Sequence, residues 1–117
     1  MIKKLIIAGA ALAFITSCKM ENPLLTESKA PFGAPEFDKI KTEHYLPAFE
    51  EAMKQQKLEI DAIVKNRAVP DFQNTILAYD KSGELLDKVA NIFFNLIECS
   101  SDDEMQKIAA EISPKLS

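Results

Sequence analysis

Few residues in this sequence could do chemistry, and none of them forms a complete site. His44 is the only histidine, and it lies beside Glu43 near the start of a predicted helix. A metal site needs several ligands that converge on one point, and a catalytic histidine needs a nucleophile or a substrate within reach. Neither is visible around His44, so we interpret it as a capping or surface residue. We therefore predict no catalytic residue and no metal ligand in this chain.

Cys99 is the second residue with reactive potential. A catalytic thiol needs an electropositive environment, whereas Glu98, Asp102 and Asp103 make the surroundings of Cys99 negative. The residue also ends a mainly apolar segment. We therefore predict that Cys99 is a small buried apolar residue without a disulfide partner.

Paired acidic and aromatic residues also have structural explanations. Glu50-Glu51 is expected on a solvated helix face, and Asp102-Asp103 is expected at a helix start, where carboxylates suit the positive end of the helix dipole. Phe93 and Phe94 are expected in the core. The sequence has only three glycines and no phosphate-binding loop.

The composition excludes several classes of function. The formal net charge is −4 and the pI is about 5.0, which gives no electrostatic footprint for nucleic acid. A hydrophobic content of 47% with 27% charged residues is ordinary for a folded globular chain. Its 117 residues are enough for one domain or part of one.

The first residues have the pattern of an export signal. Lys3 and Lys4 precede an apolar run over residues 5–15, which is too short to span a bilayer as a stable helix. Small residues then lead to Cys18, as in a bacterial lipobox. We predict that residues 1–17 are removed and that Cys18 is lipidated, which anchors an exported protein to the bacterial envelope. The outer membrane, facing the periplasm, is the expected location. The alternative is an ordinary signal peptide with an incidental cysteine.

An extended arm is predicted after Cys18. Three prolines and Gly33 lie between residues 19 and 37, and proline lacks the amide donor that a helix needs. Phe32 and Phe37 are the spaced aromatic residues of this arm, and we expect them to pack across a helical surface. The predicted regions are a signal peptide at 1–17, the lipidated cysteine, tether and arm at 18–41, and a helical region at 42–117.

Two long helices follow the arm in this prediction. The first starts between Thr42 and Tyr45, with Thr42 as its N-cap, and ends near Asn66. The second starts at Asp71 or Asn74. Its apolar residues are spaced by steps of three and four, as in helices packed against a neighbour. They are Phe72, Ile76, Tyr79, Gly83, Leu86, Ala90, Phe93 and Ile97.

Gly83 falls on the apolar seam of this second helix. We attribute it to a close helix crossing or a mild kink. A second apolar flank runs beside the seam, and a helix that is apolar on two flanks needs neighbours on both sides. We infer that part of this surface packs against something outside the chain, and we expect the isolated chain to be poorly soluble or to self-associate.

A third helix is predicted near the end. Ser101 is the expected N-cap, with Glu104 completing a capping box. Pro114 is expected to kink or stop this helix, and Leu116 continues its apolar face. No alternating strand pattern competes. The predicted fold is all-α, an extended arm followed by about three amphipathic helices that form part of a larger helical lobe.

Longer stretches of the sequence resemble a known family. They are Asn22-Pro23, PFGAPEFDKIK at 31–41, TEHYLPAFEEAMKQQ at 42–56, DFQNTILAYDKSGELLDKV at 71–89 and FFNL at 93–96. Together they resemble the N-terminal region of the M3 family of zinc metallopeptidases, of the peptidyl-dipeptidase and oligopeptidase A type. The likeness covers essentially the whole sequence after Cys18.

This resemblance implies an all-helical, two-lobed peptidase that holds oligopeptides in a channel. In that family an H-E-x-x-H helix binds zinc, and its glutamate acts as general base. This sequence contains no H-E-x-x-H, and Glu43-His44-Tyr45 is not a variant of it. Zinc is therefore expected only in a longer parent protein, of which this chain would be an N-terminal fragment.

Three functional hypotheses follow. The first is a fragment of a lipid-anchored zinc peptidase that releases dipeptides from the C-termini of oligopeptides. Its partners would be the membrane, through Cys18, and the rest of the parent lobe. The second is a small non-catalytic helical lipoprotein that acts as a binding or scaffold module. The third is a parent with endo-oligopeptidase specificity.

Overall fold

The computed structural model describes residues 21–100 and 102–116. The predicted signal peptide, Cys18 and Ser101 lie outside these residues. Within them the chain is helical without strands, which confirms the all-α prediction. The helices are α1 (Tyr45–Val64), the short α2 (Ala78–Lys81), α3 (Glu84–Cys99) and α4 (Asp103–Ile112). Short 3-10 turns occur at Pro31–Gly33, Thr42–His44 and Ser113–Lys115, and a π-helical segment occupies Phe72–Leu77.

One core lies where α1 packs along α3 and α4 packs against α1. Its buried residues are Leu24, Tyr45, Ala48, Phe49, Ala52, Val89, Ile92, Phe93, Met105 and Ile112. The buried residues that α1 contributes to this core all lie in the first half of the helix. The ring of Phe93 lies at the centre, with ring centroids 4.9 Å from Tyr45 and 5.3 Å from Phe49. Such tilted and edge-on aromatic pairs add to the free energy gained by apolar burial.

The arm is attached to the helices through its first part. Leu24 is fully buried in the core. Asn22 Nδ2 donates to the carbonyl of His44 at 2.8 Å, and Lys88 Nζ donates to the carbonyl of Thr26 at 2.7 Å. The expectation that Phe32 packs on the helices is wrong, because that side chain projects fully into solvent from a turn in which its φ is +60°. Phe37 is half exposed.

The start of α1 lies within the predicted range of Thr42 to Tyr45, but its predicted N-cap is wrong. Thr42 is the first residue of a 3-10 turn and not the N-cap, and α1 itself begins at Tyr45. Pro47 lies in the first turn of α1, where its missing amide has no intrahelical acceptor to lose. The helix ends at Val64, close to the predicted Asn66.

The predicted second helix is interrupted. Asp71 caps its start, as expected, because Asp71 Oδ1 accepts from the Asn74 amide at 2.7 Å and Asn74 Oδ1 accepts from the Asp71 amide at 3.0 Å. The helix then breaks at Ser82 and Gly83, where Ser82 is extended and Gly83 has a φ of +86°. Gly83 is thus the N-terminal residue before α3 and not a seam residue inside a continuous helix. Its left-handed φ is one that L side chains rarely adopt.

The last helix begins one residue later than predicted. Asp102 is its N-cap, because Asp102 Oδ1 accepts a hydrogen bond from the Met105 amide at 2.8 Å. Asp102 thus takes the role that was predicted for Ser101. The helix ends at Ile112, and Pro114 lies in the 3-10 turn that follows, as predicted. Met105 and Ile112 bury its apolar face.

Candidate functional site

His44 closes the turn that leads into α1. Its Nδ1 accepts a hydrogen bond from the Lys41 amide at 3.0 Å, and its own amide donates to the Lys41 carbonyl at 2.9 Å. Since Nδ1 is an acceptor here, the neutral ring carries its proton on Nε2. These bonds confirm the capping interpretation of His44. The ring is occupied in ordering the backbone, which leaves Nε2 as its one nitrogen available to other groups.

A charged cleft of about 390 Å³ lies beside His44. It is lined by Glu21, Pro23, Thr26, Glu27, Lys29, Glu36, Lys39, Lys41 and His44. Three carboxylates and three ammonium groups line it together, and Lys39 Nζ lies 2.6 Å from Glu36 Oε1. The hydrogen bond to Glu36 and its charge raise the pKa of Lys39. A cleft lined by equal numbers of positive and negative groups does not focus a field on a ligand of one sign.

Cys99 is exposed, so the prediction that it is buried is wrong. It is the last residue of α3, where the helix runs past the core into solvent. Its thiol lines an open apolar groove of about 430 Å³ between the arm and α3. The other residues of the groove are Pro35, Phe37, Asn91, Ile92, Asn95 and Leu96. None of them can activate a thiol as a base or a nearby cation would.

The paired residues have the structural roles predicted for them. Glu50 and Glu51 are both exposed, and Glu51 pairs with Lys54 at 3.2 Å on the surface of α1. Asp102-Asp103 forms the start of α4. Phe93 is fully buried, and Phe94 packs edge-on against it at 5.2 Å.

The described residues do not fit a zinc site. Within 21–100 and 102–116, no three or more His, Cys, Asp or Glu side chains come together in a group that could hold a metal ion. The ligand set of a catalytic zinc is three protein side chains with one open position. His44 has no second imidazole to join it, because the chain has one histidine. No zinc-dependent step can be assigned to these residues.

Five large apolar side chains between residues 64 and 79, outside the buried core, are exposed. We call this group the distal apolar surface, and its residues are Val64, Val69, Phe72, Ile76 and Tyr79. Each is more than half exposed. Aromatic and branched side chains of this size are normally found buried, and a group of them marks an interaction surface. The sequence pattern placed Phe72, Ile76 and Tyr79 on the buried seam of one long helix. The signal that this helix breaks is the Ser82-Gly83 pair.

Comparison with known proteins gives this arrangement a context. The chain is 46% identical over 95 residues to a protein of Salmonella typhimurium strain LT2 named dipeptidyl carboxypeptidase, and the match covers 81% of the chain. This chain is similar to dipeptidyl carboxypeptidase. An Escherichia coli K12 protein of the same name is also 46% identical over 95 residues. These two relatives confirm the predicted resemblance to peptidyl-dipeptidases.

The matched segment is a small part of the relatives. The chain spans about 14% of the length of each of the two proteins named dipeptidyl carboxypeptidase. No family model matches the chain. Among residues 21–100 and 102–116, no helix has both the length and the apolar character that crossing a membrane requires.

Proposed function

We propose that this chain is the N-terminal helical segment of a zinc metallopeptidase of the M3 family that releases dipeptides from the C-termini of oligopeptides. The observation that carries the proposal is 46% identity over 95 residues to two proteins named dipeptidyl carboxypeptidase. In this proposal the segment builds part of one lobe and of the channel wall. Zinc and the general base would come from a part of the parent protein that these residues do not include.

The chain's own residues would contribute positioning and shape. His44, Asn22 and Lys41 order the entrance to α1 through hydrogen bonds. The core around Phe93 holds α1, α3 and α4 together. A rigid helical unit of this kind can support a substrate channel without supplying a reacting group.

Lipid anchoring is the second part of the proposal. Lipidation of Cys18 would hold the protein on the bacterial envelope, because each buried CH₂ of an acyl chain contributes about 0.8 kcal/mol. The lipobox-like pattern that ends at Cys18 supports this. Metabolic labelling with an azido fatty acid tests it. Wild type should carry the label, and Cys18→Ser should lose it, while Cys99→Ser, which keeps Cys18, should retain it.

The genomic sequence tests the proposed parent. We expect the genomic DNA downstream of the Ser117 codon to encode an H-E-x-x-H motif in the same reading frame. A stop codon there, together with an abundant small lipoprotein in membrane fractions, would instead support the second candidate, a non-catalytic module. The observation that favours this second candidate is a core of ten buried residues among residues 21–100 and 102–116.

The purified chain tests where the chemistry lies. We expect it to release no dipeptide from oligopeptide substrates and to bind no stoichiometric zinc. Equilibrium dialysis with zinc and a peptide-cleavage assay measure both. Activity or stoichiometric zinc in the purified chain would overturn the assignment of the chemistry to other parts of the parent.

A further inference from the structure

The distal apolar surface is separate from the core. The buried residues of α1 are Tyr45, Ala48, Phe49 and Ala52, all in its first half. The side chains at the other end have no such cover. Val64 is 76% exposed, Phe72 64% and Tyr79 68%. The π-helical segment Phe72–Leu77 contains no buried residue.

This surface is built on an ordered turn. The reciprocal hydrogen bonds of Asp71 and Asn74 fix the first turn of the segment that carries Phe72. Asn74 Nδ2 also donates to the carbonyl of Val69 at 2.9 Å. The backbone on both sides of Phe72 is therefore held by one asparagine. Exposed apolar side chains on such a fixed backbone are preorganised for a partner, which reduces the entropy cost of docking.

The composition of the surface fits a protein interface. Phe72 and Tyr79 are its aromatic residues. Charged residues of both signs accompany it in the sequence, including Lys65, Asp71 and Asp80, all exposed. An apolar, aromatic centre with a polar rim is the usual composition of a protein–protein interface.

We propose that the distal apolar surface docks against the part of a dipeptidyl-carboxypeptidase-like protein that lies outside the 95 matched residues. The proposal rests on the proposed function. The two relatives indicate which partner covers the surface. They are 46% identical to this segment, and most of their length lies outside the matched residues. In each relative, the matched segment is therefore covalently linked to a much larger remainder of the protein. Ile76 would lie inside the contact, and the core around Phe93 would lie outside it.

A chimeric protein allows a direct test. In it, the matched residues of this chain replace the corresponding residues of the Escherichia coli dipeptidyl carboxypeptidase. Ile76→Cys reports on the surface, and Gln73→Cys, an exposed residue in the same segment, is the control. The probe is N-ethylmaleimide, and mass spectrometry of the individual peptides gives the labelling rate at each position. The same two variants are measured in the full chain by itself.

We expect labelling of the Ile76→Cys variant to be at least about tenfold slower in the chimera than in the chain alone. Labelling of the Gln73→Cys variant should change by less than about threefold. Equal rates for the Ile76→Cys variant in the two proteins would overturn the docking proposal. So would protection of position 76 in the chain alone that increases with protein concentration, because a second copy would then be the occupant.

Dipeptide release by the chimera separates the two proposals. An active chimera with an unprotected position 76 would contradict docking and support the proposed function. A protected position 76 in an inactive chimera would support docking and contradict the function.

Discussion

Glu59 on α1 accepts a hydrogen bond from the backbone amide of Gly83, with 2.8 Å between Oε2 and N. The two residues are 24 positions apart and lie on either side of the exposed turn that carries Phe72. Gly83 precedes the first residue of α3, so the carboxylate lies at the positive end of that helix. The bond therefore links the far half of α1 to the start of α3, beyond the limit of the apolar core.

Removing the Glu59 carboxylate should destabilise the chain. We expect Glu59→Ala to lower the free energy of unfolding by about 1.5–3 kcal/mol, as for a hydrogen bond to a charged group. Glu59→Gln should lose less, because an amide oxygen can still accept from Gly83. Urea denaturation followed by circular dichroism measures both. Glu50→Ala, an exposed residue on the same helix, is the control and should change the free energy by less than about 0.5 kcal/mol. Equal losses at positions 59 and 50 would refute the role of this bond.

Gly83 should not tolerate a side chain. Gly83→Ala places a residue with a Cβ at a φ of +86°, and that Cβ would lie 2.5 Å from Gln56 Nε2. The end of the Gln56 side chain can move away, so the backbone strain is the main cause of the loss. We expect a decrease of about 1–2 kcal/mol in unfolding free energy, measured by urea denaturation.

Two companion variants separate the causes of that loss. Gly33 has a φ of +69°, and an added Cβ would meet no atom within 4 Å. Gly33→Ala therefore measures the cost of backbone strain without a steric contact. The double variant Gln56→Ala with Gly83→Ala should remain less stable than Gln56→Ala alone by about 1 kcal/mol. Full recovery in the double variant would show that the contact with Gln56, and not φ, sets the cost.

The sequence predicted the helices well and their interruptions poorly. The apolar spacing of α1 and α4 was sufficient because each presents a single face to the core. The segment from Phe72 to Ile97 keeps the same spacing across a break at Gly83. Periodicity alone cannot distinguish a continuous helix from two pieces whose apolar residues keep the same steps. The position of Gly83 on the seam concealed its role as the residue that starts α3.

The sequence pattern also could not predict which individual apolar residues are exposed. Cys99 ends a helix whose other apolar residues are buried or partly buried, and only the length of α3 relative to the core shows that it lies in solvent. Phe32 was expected to pack because arms of this composition often do. Leu24 has that role instead, because bonds from Asn22 and to Thr26 hold the chain on either side of it. Which of two apolar residues is buried depends on such tertiary contacts.

The aromatic cluster should dominate stability. Phe93 is fully buried and meets Tyr45, Phe49 and Phe94 in tilted or edge-on pairs. We expect Phe93→Ala to cost about 3–5 kcal/mol, enough to unfold a marginally stable chain. Phe32→Ala is the matched control, because Phe32 is fully exposed, and it should change stability by less than about 0.5 kcal/mol. Thermal unfolding followed by circular dichroism compares them, and similar midpoints would contradict this core.

Tyr45 should make the fold sensitive to alkali. Burial raises the pKa of its phenol above the ordinary value of 10.0. The folded state therefore holds this proton more tightly than the unfolded state. Its contribution to stability is complete below about pH 10, the unfolded-state pKa, and is lost as the pH rises through the folded-state pKa.

Urea denaturation from about pH 8 to about pH 11, which brackets the ordinary tyrosine pKa, measures this dependence. Wild type should lose stability above about pH 10, and Tyr45→Phe should lose less over the same range. The exposed tyrosine supplies the control, since Tyr79→Phe should follow the wild-type profile. A Tyr45→Phe profile identical to that of wild type would contradict the assignment.

The activity of the chimera is the decisive test of the proposed function. The claim is that this chain forms the helical segment of a peptidase like the dipeptidyl carboxypeptidases it matches at 46% identity. Release of dipeptides from the C-terminus of an oligopeptide is followed by mass spectrometry, with the unaltered Escherichia coli protein as the reference. We predict a kcat/KM within about tenfold of the reference, a change of about 1.4 kcal/mol or less in transition-state stabilisation. A chimera that is folded, monodisperse and inactive would contradict the claim.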